Sequence, residues 1–274
     1  MPNSTPRPDL DDLLADMGAA GSRISDIDAS EAAAGNLSVF VGRELDLADR
    51  FPCTEEIALP VCAPALAGRT VLVTGSGRRL RDLAQDPLAG IGAVHIHPDG
   101  GSATLRTSPR RRFSGLTSEF NSHLAVHQDQ VARRGITFQA VIHAQPPHLT
   151  YLSHIPAYRS TQALNSRILR WEPETMISLP QGVGVLDFMV PGSAQLMSAN
   201  VEQLRHAHVV LWSKHGVMAR SDVSVMHAVD RVEYVETGAR YEYMDLVAGR
   251  RAEGLTPEEI KHVTTAFAVS SPWA

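Results

Sequence analysis

Short apolar runs that stop abruptly on a polar residue constrain this chain most. "RTVLVTGSG" (69–77), "FQAVIHA" (138–144) and "HVVLWSKHG" (208–216) have the length of buried strands, and each ends near glycine or histidine. Between them the pattern turns helical. From Thr117 a helix is expected, with Phe120, Leu124 and Val131 near one face and Gly135 at its end. Ser193 caps "PGSAQLMSANVEQLRHA", and Ser221 opens a long amphipathic helix to about Gly249. Thr256 starts a last helix, with Pro257 at its first position and Glu258 and Glu259 in its first turn. Toward the N-terminus, residues 1–9 read as a disordered tail and "DLDDLLADMGAAG" as a short helix closed by Gly21. "GNLSVFVG" is a strand beginning just after Gly35-Asn36, and proline-rich "LPVCAPALAG" an irregular excursion. "GAVHIHPDGGSATLR" is a hairpin turning at Asp99-Gly100-Gly101. Strands interleaved with helices predict one mixed α/β domain over residues 10–274.

Composition removes several function classes. A net charge of −5 argues against a general nucleic-acid binder, although a local pocket can still attract an anion. No run of about 18 apolar residues is present to span a membrane. The opening "MPNSTPRPDL" is polar and shows no signal peptide. Cys53 and Cys62 fit no common zinc spacing, so the expected setting is the reducing cytoplasm.

Four stretches carry candidate chemistry, each with an ordinary explanation beside it. His143 ends a strand, and Gln145, two residues on, shares its face if the chain stays extended. His148 follows two prolines, so its direction cannot be read from strand parity. His215 sits where another strand stops, and Gly216 lets the backbone turn. Either histidine alone is more often structural, but two on separate strands make a shared metal plausible. In "GLTSEFNSH", Thr117, Ser118 and Glu119 read simply as a helix cap with an acid at the positive dipole end. The same groups could instead grip a phosphate and supply a general base. The turn Thr74-Gly75-Ser76-Gly77 can present amides to an anion, although it lacks the Walker and dinucleotide patterns. Arg78 and Arg79 either add charge there or are solvated. His95 with His97, and His123 with His127 at helical spacing from Glu119, are further histidine pairs whose pattern alone assigns no role.

Taken in order, "GNLSV", "VTGSG", "TSE", "VIHAQ", "GVGVLDFMVPGS" and "VLWSKHGVM" resemble the class II aldolase/adducin family over roughly residues 30–265. "VTGSGRRLRDLAQDP" and "MVPGS" look most like the bacterial branch that acts on rhamnulose 1-phosphate. The resemblance implies an α/β/α sandwich around a mostly antiparallel sheet, assembled as a homotetramer. It implies zinc, with manganese or cobalt as alternatives, held by His143 and His215. The family carries histidine where this chain has Gln145, so Gln145 or, in its place, His148 is expected to complete the metal shell. Glu119 matches the catalytic glutamate. Asn36, Ser76, Thr117 and Ser118 match positions that grip phosphate, with Thr74, Gly75 and Gly77 in the same turn. Neither other histidine pair matches a family ligand.

The expected activity is cleavage of a ketose, such as rhamnulose 1-phosphate, to dihydroxyacetone phosphate and a short aldehyde through a metal-stabilised enediolate. A sugar-phosphate epimerase, a decarboxylase using the same electron sink, and a non-catalytic adducin-like binding module are the rivals.

Overall fold

The computed structural model describes residues 8–273. Among these, strands β1 (Asn36–Val41), β2 (Cys53–Ala58), β3 (Thr70–Thr74), β4 (Ile91–Ile96), β5 (Ser102–Thr107), β6 (Phe138–Ala144), β7 (Val183–Leu186), β8 (Val209–Trp212) and β9 (Gly216–Ser221) form one sheet. Its order is β2-β5-β4-β3-β1-β6-β9-β8-β7. All pairings are antiparallel except the parallel β7–β8 edge.

Strand parity sorts the side chains onto two faces. Leu37, Val39, Val41, Ala140, Ile142 and Ala144 join one core with helices α1 (Leu10–Asp26) and α8 (Val225–Val247). Phe40, Val71 and Val73 point the other way, against Phe120 and Leu124 of α3 (Phe120–Arg134). Val141 and Met218 share that second face with Val126 of α3 and Leu196 and Leu204 of α7 (Ala194–Leu204). Helices on both faces of a mostly antiparallel sheet give the α/β/α class expected from the sequence. A single turn, α2 (Pro87–Gly90), precedes β4; between β6 and β7 lie three short helices, α4 (Pro147–Leu152), α5 (Thr161–Ile168) and α6 (Pro173–Ser178), and after α8 comes α9 (Pro257–Ala266).

Several boundaries differ from the sequence expectation, each for a physical reason. The expected disordered tail lies outside the described residues up to residue 7. Asp9, at its end, caps α1 in a reciprocal capping box with Asp12. Gly21 does not close α1, which continues to Asp26. A Cβ at Gly21 would lie 2.2 Å from the Leu80 carbonyl oxygen, so this glycine permits close backbone packing rather than a stop. Gly21→Ala is therefore expected to cost about 2 kcal/mol, the scale of core overpacking. Urea unfolding that gives the wild-type midpoint for this variant would refute the close-packing explanation.

Ser221 does not open the long helix. It ends β9, and Ser224 is the cap, accepting from the His227 amide. Helix α3 begins at Phe120 rather than Thr117, with Glu119 at the N-cap position. Thr256 caps α9 in a capping box with Glu259, as its sequence implies. No described helix is long and apolar enough to cross a membrane.

Candidate metal centre

Register places the site. In antiparallel β1–β6, Asn36 lies opposite His143, and in β6–β9 His143 lies opposite Met218. Strand β8 ends at Trp212 opposite Gly216, so the turn carrying His215 closes beside the end of β6. The N-cap of α3 brings Glu119 over the same sheet end. Glu119, His143 and His215 each offer a ligand atom within 4.8 Å of the others. His143 Nε2 is 3.5 Å from Glu119 Oε2, and His215 Nε2 is 3.5 Å from Glu119 Oε1.

These distances fit a cation. A tetrahedral zinc with bonds of about 2.0–2.2 Å has ligand-to-ligand edges of about 3.4 Å. His143 Nδ1 donates to the Val217 carbonyl at 2.9 Å, which leaves the Nε2 lone pair directed at the cluster. The ring stacks on Trp212, with centroids 4.8 Å apart. Burial pushes the His215 imidazole down to about 4, with the nearby His143 ring adding to the effect and Glu119 opposing it. Two imidazole nitrogens beside a carboxylate are a suitable donor set for a divalent ion.

Gly216 has a different role from the tight turn expected. The left-handed residue is Lys214, at φ 64°, and its amide donates to Ser153 Oγ. A Cβ at Gly216 would lie 2.4 Å from the Ala144 carbonyl oxygen and 3.1 Å from His143 Cε1. Glycine here lets the two histidine-bearing segments approach.

The cluster lines a cavity of about 220 Å³ together with Gly35, Asn36, Gly75, Ser76, Gly77 and Arg78, and with Thr117, Ser118, Gln145 and Pro191. Most of the expected contact residues thus share one chamber, and three are held differently from the sequence expectation. Gln145 has left the strand, and its backbone amide donates to the Ala29 carbonyl. Oriented to satisfy both groups, its side-chain amide donates to the Glu31 carboxylate at 2.7 and 3.0 Å. His148 is not in the chamber. It lies on α4, where Nδ1 is 2.6 Å from Glu236 Oε1, against the Tyr243 ring. The third member of the cluster is Glu119 itself. Thr74 does not line the chamber either, because its hydroxyl accepts from the Leu37 amide at 3.2 Å and ties β3 to β1.

The Gly-Ser-Gly turn is also braced differently from a free anion nest. The Ser76 amide donates to Gly115 O, and the Thr117 amide to Thr74 O. Ser76, Thr117, Ser118 and Arg78 line this wall, and the Arg78 guanidinium donates to the Arg112 carbonyl at 3.4 Å and lies 3.8 Å from the Asp82 carboxylate. Arg78, which follows the turn directly, is the lining cation that the sequence left unassigned. Glu31 carried no sequence signal at all.

Behind Glu119 the same sheet face carries buried polar residues. Asn36 Nδ2 donates to Glu119 Oε2 at 3.0 Å, and Asn36 Oδ1 is 2.5 Å from His123 Nε2. His95 and His97 are elsewhere, on the β4–β5 hairpin with Thr70, Ser102 and Thr104. Burial drives the His127 imidazole down to about 4 from its ordinary 6.5. Between those values the unfolded chain binds a proton that the folded chain refuses, so stability present above pH 6.5 is lost as pH falls toward 4. The contribution lost by pH 5 is about 2 kcal/mol. Urea unfolding of chelator-treated protein at pH 7 and pH 5 should show at least that loss, because burial also holds His123, His208 and His215 low, and equal stabilities would contradict it.

The pattern described as Class II Aldolase and Adducin N-terminal domain matches residues 15–243. The chain belongs to the class II aldolase and adducin family. Rhamnulose-1-phosphate aldolase of Bacteroides thetaiotaomicron is 28% identical over 232 residues, 85% of this chain and 84% of that protein. The enzyme of the same name from Citrobacter koseri is 26% identical over 243 residues, 86% of each. The crystal structure of a sugar-phosphate aldolase from Thermotoga maritima superposes with a TM-score of 0.73 at 26% identity, covering 89% of this chain and 98% of that one. Within this family, the Glu119, His143 and His215 cluster is the chain's candidate metal centre.

Proposed function

We propose that this protein is a metal-dependent class II aldolase that cleaves a ketose 1-phosphate, such as rhamnulose 1-phosphate, to dihydroxyacetone phosphate and a short aldehyde. One observation carries the reading. Two imidazoles and a carboxylate converge in a cavity whose wall also holds Ser76, Arg78, Thr117 and Ser118. The likeness to rhamnulose-1-phosphate aldolases and to a sugar-phosphate aldolase supports the same substrate class. Zinc as the ion and a homotetramer as the assembly extend the reading. The uninterrupted sheet supports taking residues 10–274 as one domain.

His143 and His215 would hold the ion through Nε2 and Glu119 through a carboxylate oxygen. A divalent ion there supplies Lewis acidity, drawing off the negative charge that collects at the substrate's C2 oxygen when the C3–C4 bond breaks. Arg78 and the hydroxyls of Ser76, Thr117 and Ser118 would orient the anionic end, so that binding remote from the reacting bond fixes its geometry. The Glu119 carboxylate would take the proton of the C4 hydroxyl and return one to C3. Gln145, held by Glu31, would line the chamber beside the substrate rather than complete the ligand set.

The test is purified protein with Zn²⁺ and rhamnulose 1-phosphate, with dihydroxyacetone phosphate followed by coupled reduction and the aldehyde trapped separately. Two separated carbon fragments support the proposal. An interconverted sugar, released carbon dioxide or no turnover would replace it by an epimerase, a decarboxylase or a binding module respectively.

A further inference from the structure

Strand parity puts Asn36 and Ser38 of β1 and Gln139 of β6 on the sheet face covered by α3. Across from them, His123 and His127 are completely buried on that helix. The five side chains form a file ending at Glu119. Gln139 Oε1 lies 2.8 Å from His127 Nδ1, and His127 Nε2 lies 2.8 Å from Ser38 Oγ. Ser38 Oγ lies 2.7 Å from His123 Nδ1, and His123 Nε2 lies 2.5 Å from Asn36 Oδ1. Asn36 Nδ2 then donates to Glu119 Oε2.

Donor and acceptor chemistry gives this file one direction. A carboxylate only accepts, so Asn36 must turn its NH₂ to Glu119 and its oxygen to His123. That oxygen also only accepts, so the His123 proton is on Nε2. Burial keeps both rings neutral, far below their ordinary range for His123. His123 Nδ1 is therefore bare and takes the Ser38 proton. Ser38 Oγ must then accept from His127 Nε2–H, leaving His127 Nδ1 bare. That nitrogen faces Gln139 Oε1, and two acceptors cannot share a proton, so the Gln139 amide must be turned over to present its NH₂, the group otherwise without a partner. Opposite polarity along the file would present the Asn36 oxygen to the carboxylate.

We propose that His123 is a positioning residue for Glu119. Its Nε2–H holds the Asn36 oxygen, which keeps the Asn36 NH₂ group on Glu119 Oε2 beside the two imidazoles. The part of this concerning metal rests on the proposed metal site; the hydrogen-bond direction does not. Outer groups of this kind typically govern metal affinity by about 10–100-fold.

The direct test is long-range ¹H–¹⁵N NMR on metal-free wild-type protein labelled at histidine. The expected result is His123 protonated on Nε2 and bare on Nδ1, with His127 the same; an Nδ1–H tautomer at His123 overturns the proposal. The second test is competition of the protein with a chromophoric chelator for Zn²⁺. His123→Leu, which removes the donor, should bind Zn²⁺ about 10–100-fold more weakly. His123→Gln, whose amide can still donate to Asn36, should recover most of that loss. Equal loss in the two variants, or none in either, indicates a packing role only and overturns the proposal. If His123→Leu fails to fold, the tautomer and the glutamine variant decide. Failure of wild type to bind Zn²⁺ would overturn the metal reading alone, because the tautomer measurement needs no metal.

Discussion

His143→Ala and His215→Ala are each expected to empty the metal centre and to lower kcat/KM for cleavage by about 10³-fold or more. The two imidazoles stand on different strand ends, each 3.5 Å from a Glu119 oxygen, so neither can replace the other. Lewis-acid stabilisation of the developing charge is worth several kcal/mol, and each 1.36 kcal/mol of barrier is about tenfold in rate. His143→Ala should also disturb packing, since the ring stacks on Trp212. His215, partly exposed on its turn, is the cleaner probe. Metal content by mass spectrometry and initial rates provide the readout. Wild-type metal content in both variants would remove the proposed centre.

Glu119→Gln is expected to lower turnover by about 10²–10⁴-fold, the range of a lost general acid–base. It should weaken metal binding as well. Asn36 already presents its NH₂ to this position, so a glutamine there must turn its own oxygen toward Asn36. Its NH₂ would then take the Oε1 position beside His215, where it cannot serve as a ligand. Turnover should remain low at saturating metal if proton transfer is also lost. Full activity restored by excess Zn²⁺ would confine Glu119 to metal holding. Retained activity without added metal would exclude it from both tasks.

The parts of this architecture legible from sequence were those written in local pattern. Apolar runs ending at His143 and Trp212 marked the inner strands, and Thr256-Pro257-Glu258-Glu259 marked a capped helix. Strand β2 left no such trace because it lies at the sheet edge, with most of its side chains in water. The short helices α4 to α6 escaped because six to eight residues carry too little periodicity. Gly21 and Gly216 read as turn formers, whereas their reason is a distant backbone pressed against them. His148 and Thr74 looked suitable by type and position. Glu236 on α8 takes one and the Leu37 amide the other, and such partners are invisible in a linear reading. The pair His123 and His127 matches no ligand position, yet it lies directly behind Asn36.

The crossing of β1, β6 and β9 has one more consequence. Asn36, His143 and the turn after Trp212 meet only in a single alignment of strands that are far apart along the chain. Slippage of β6 by one residue would swing His143 to the opposite side of the sheet and Ile142 into its place. Cation capture at the proposed centre would therefore proofread the threading, because a misaligned chain could not chelate. Saturation at 100 times the dissociation constant would favour the correct alignment by about 2.7 kcal/mol, visible as a raised Tm with Zn²⁺ that His215→Ala abolishes.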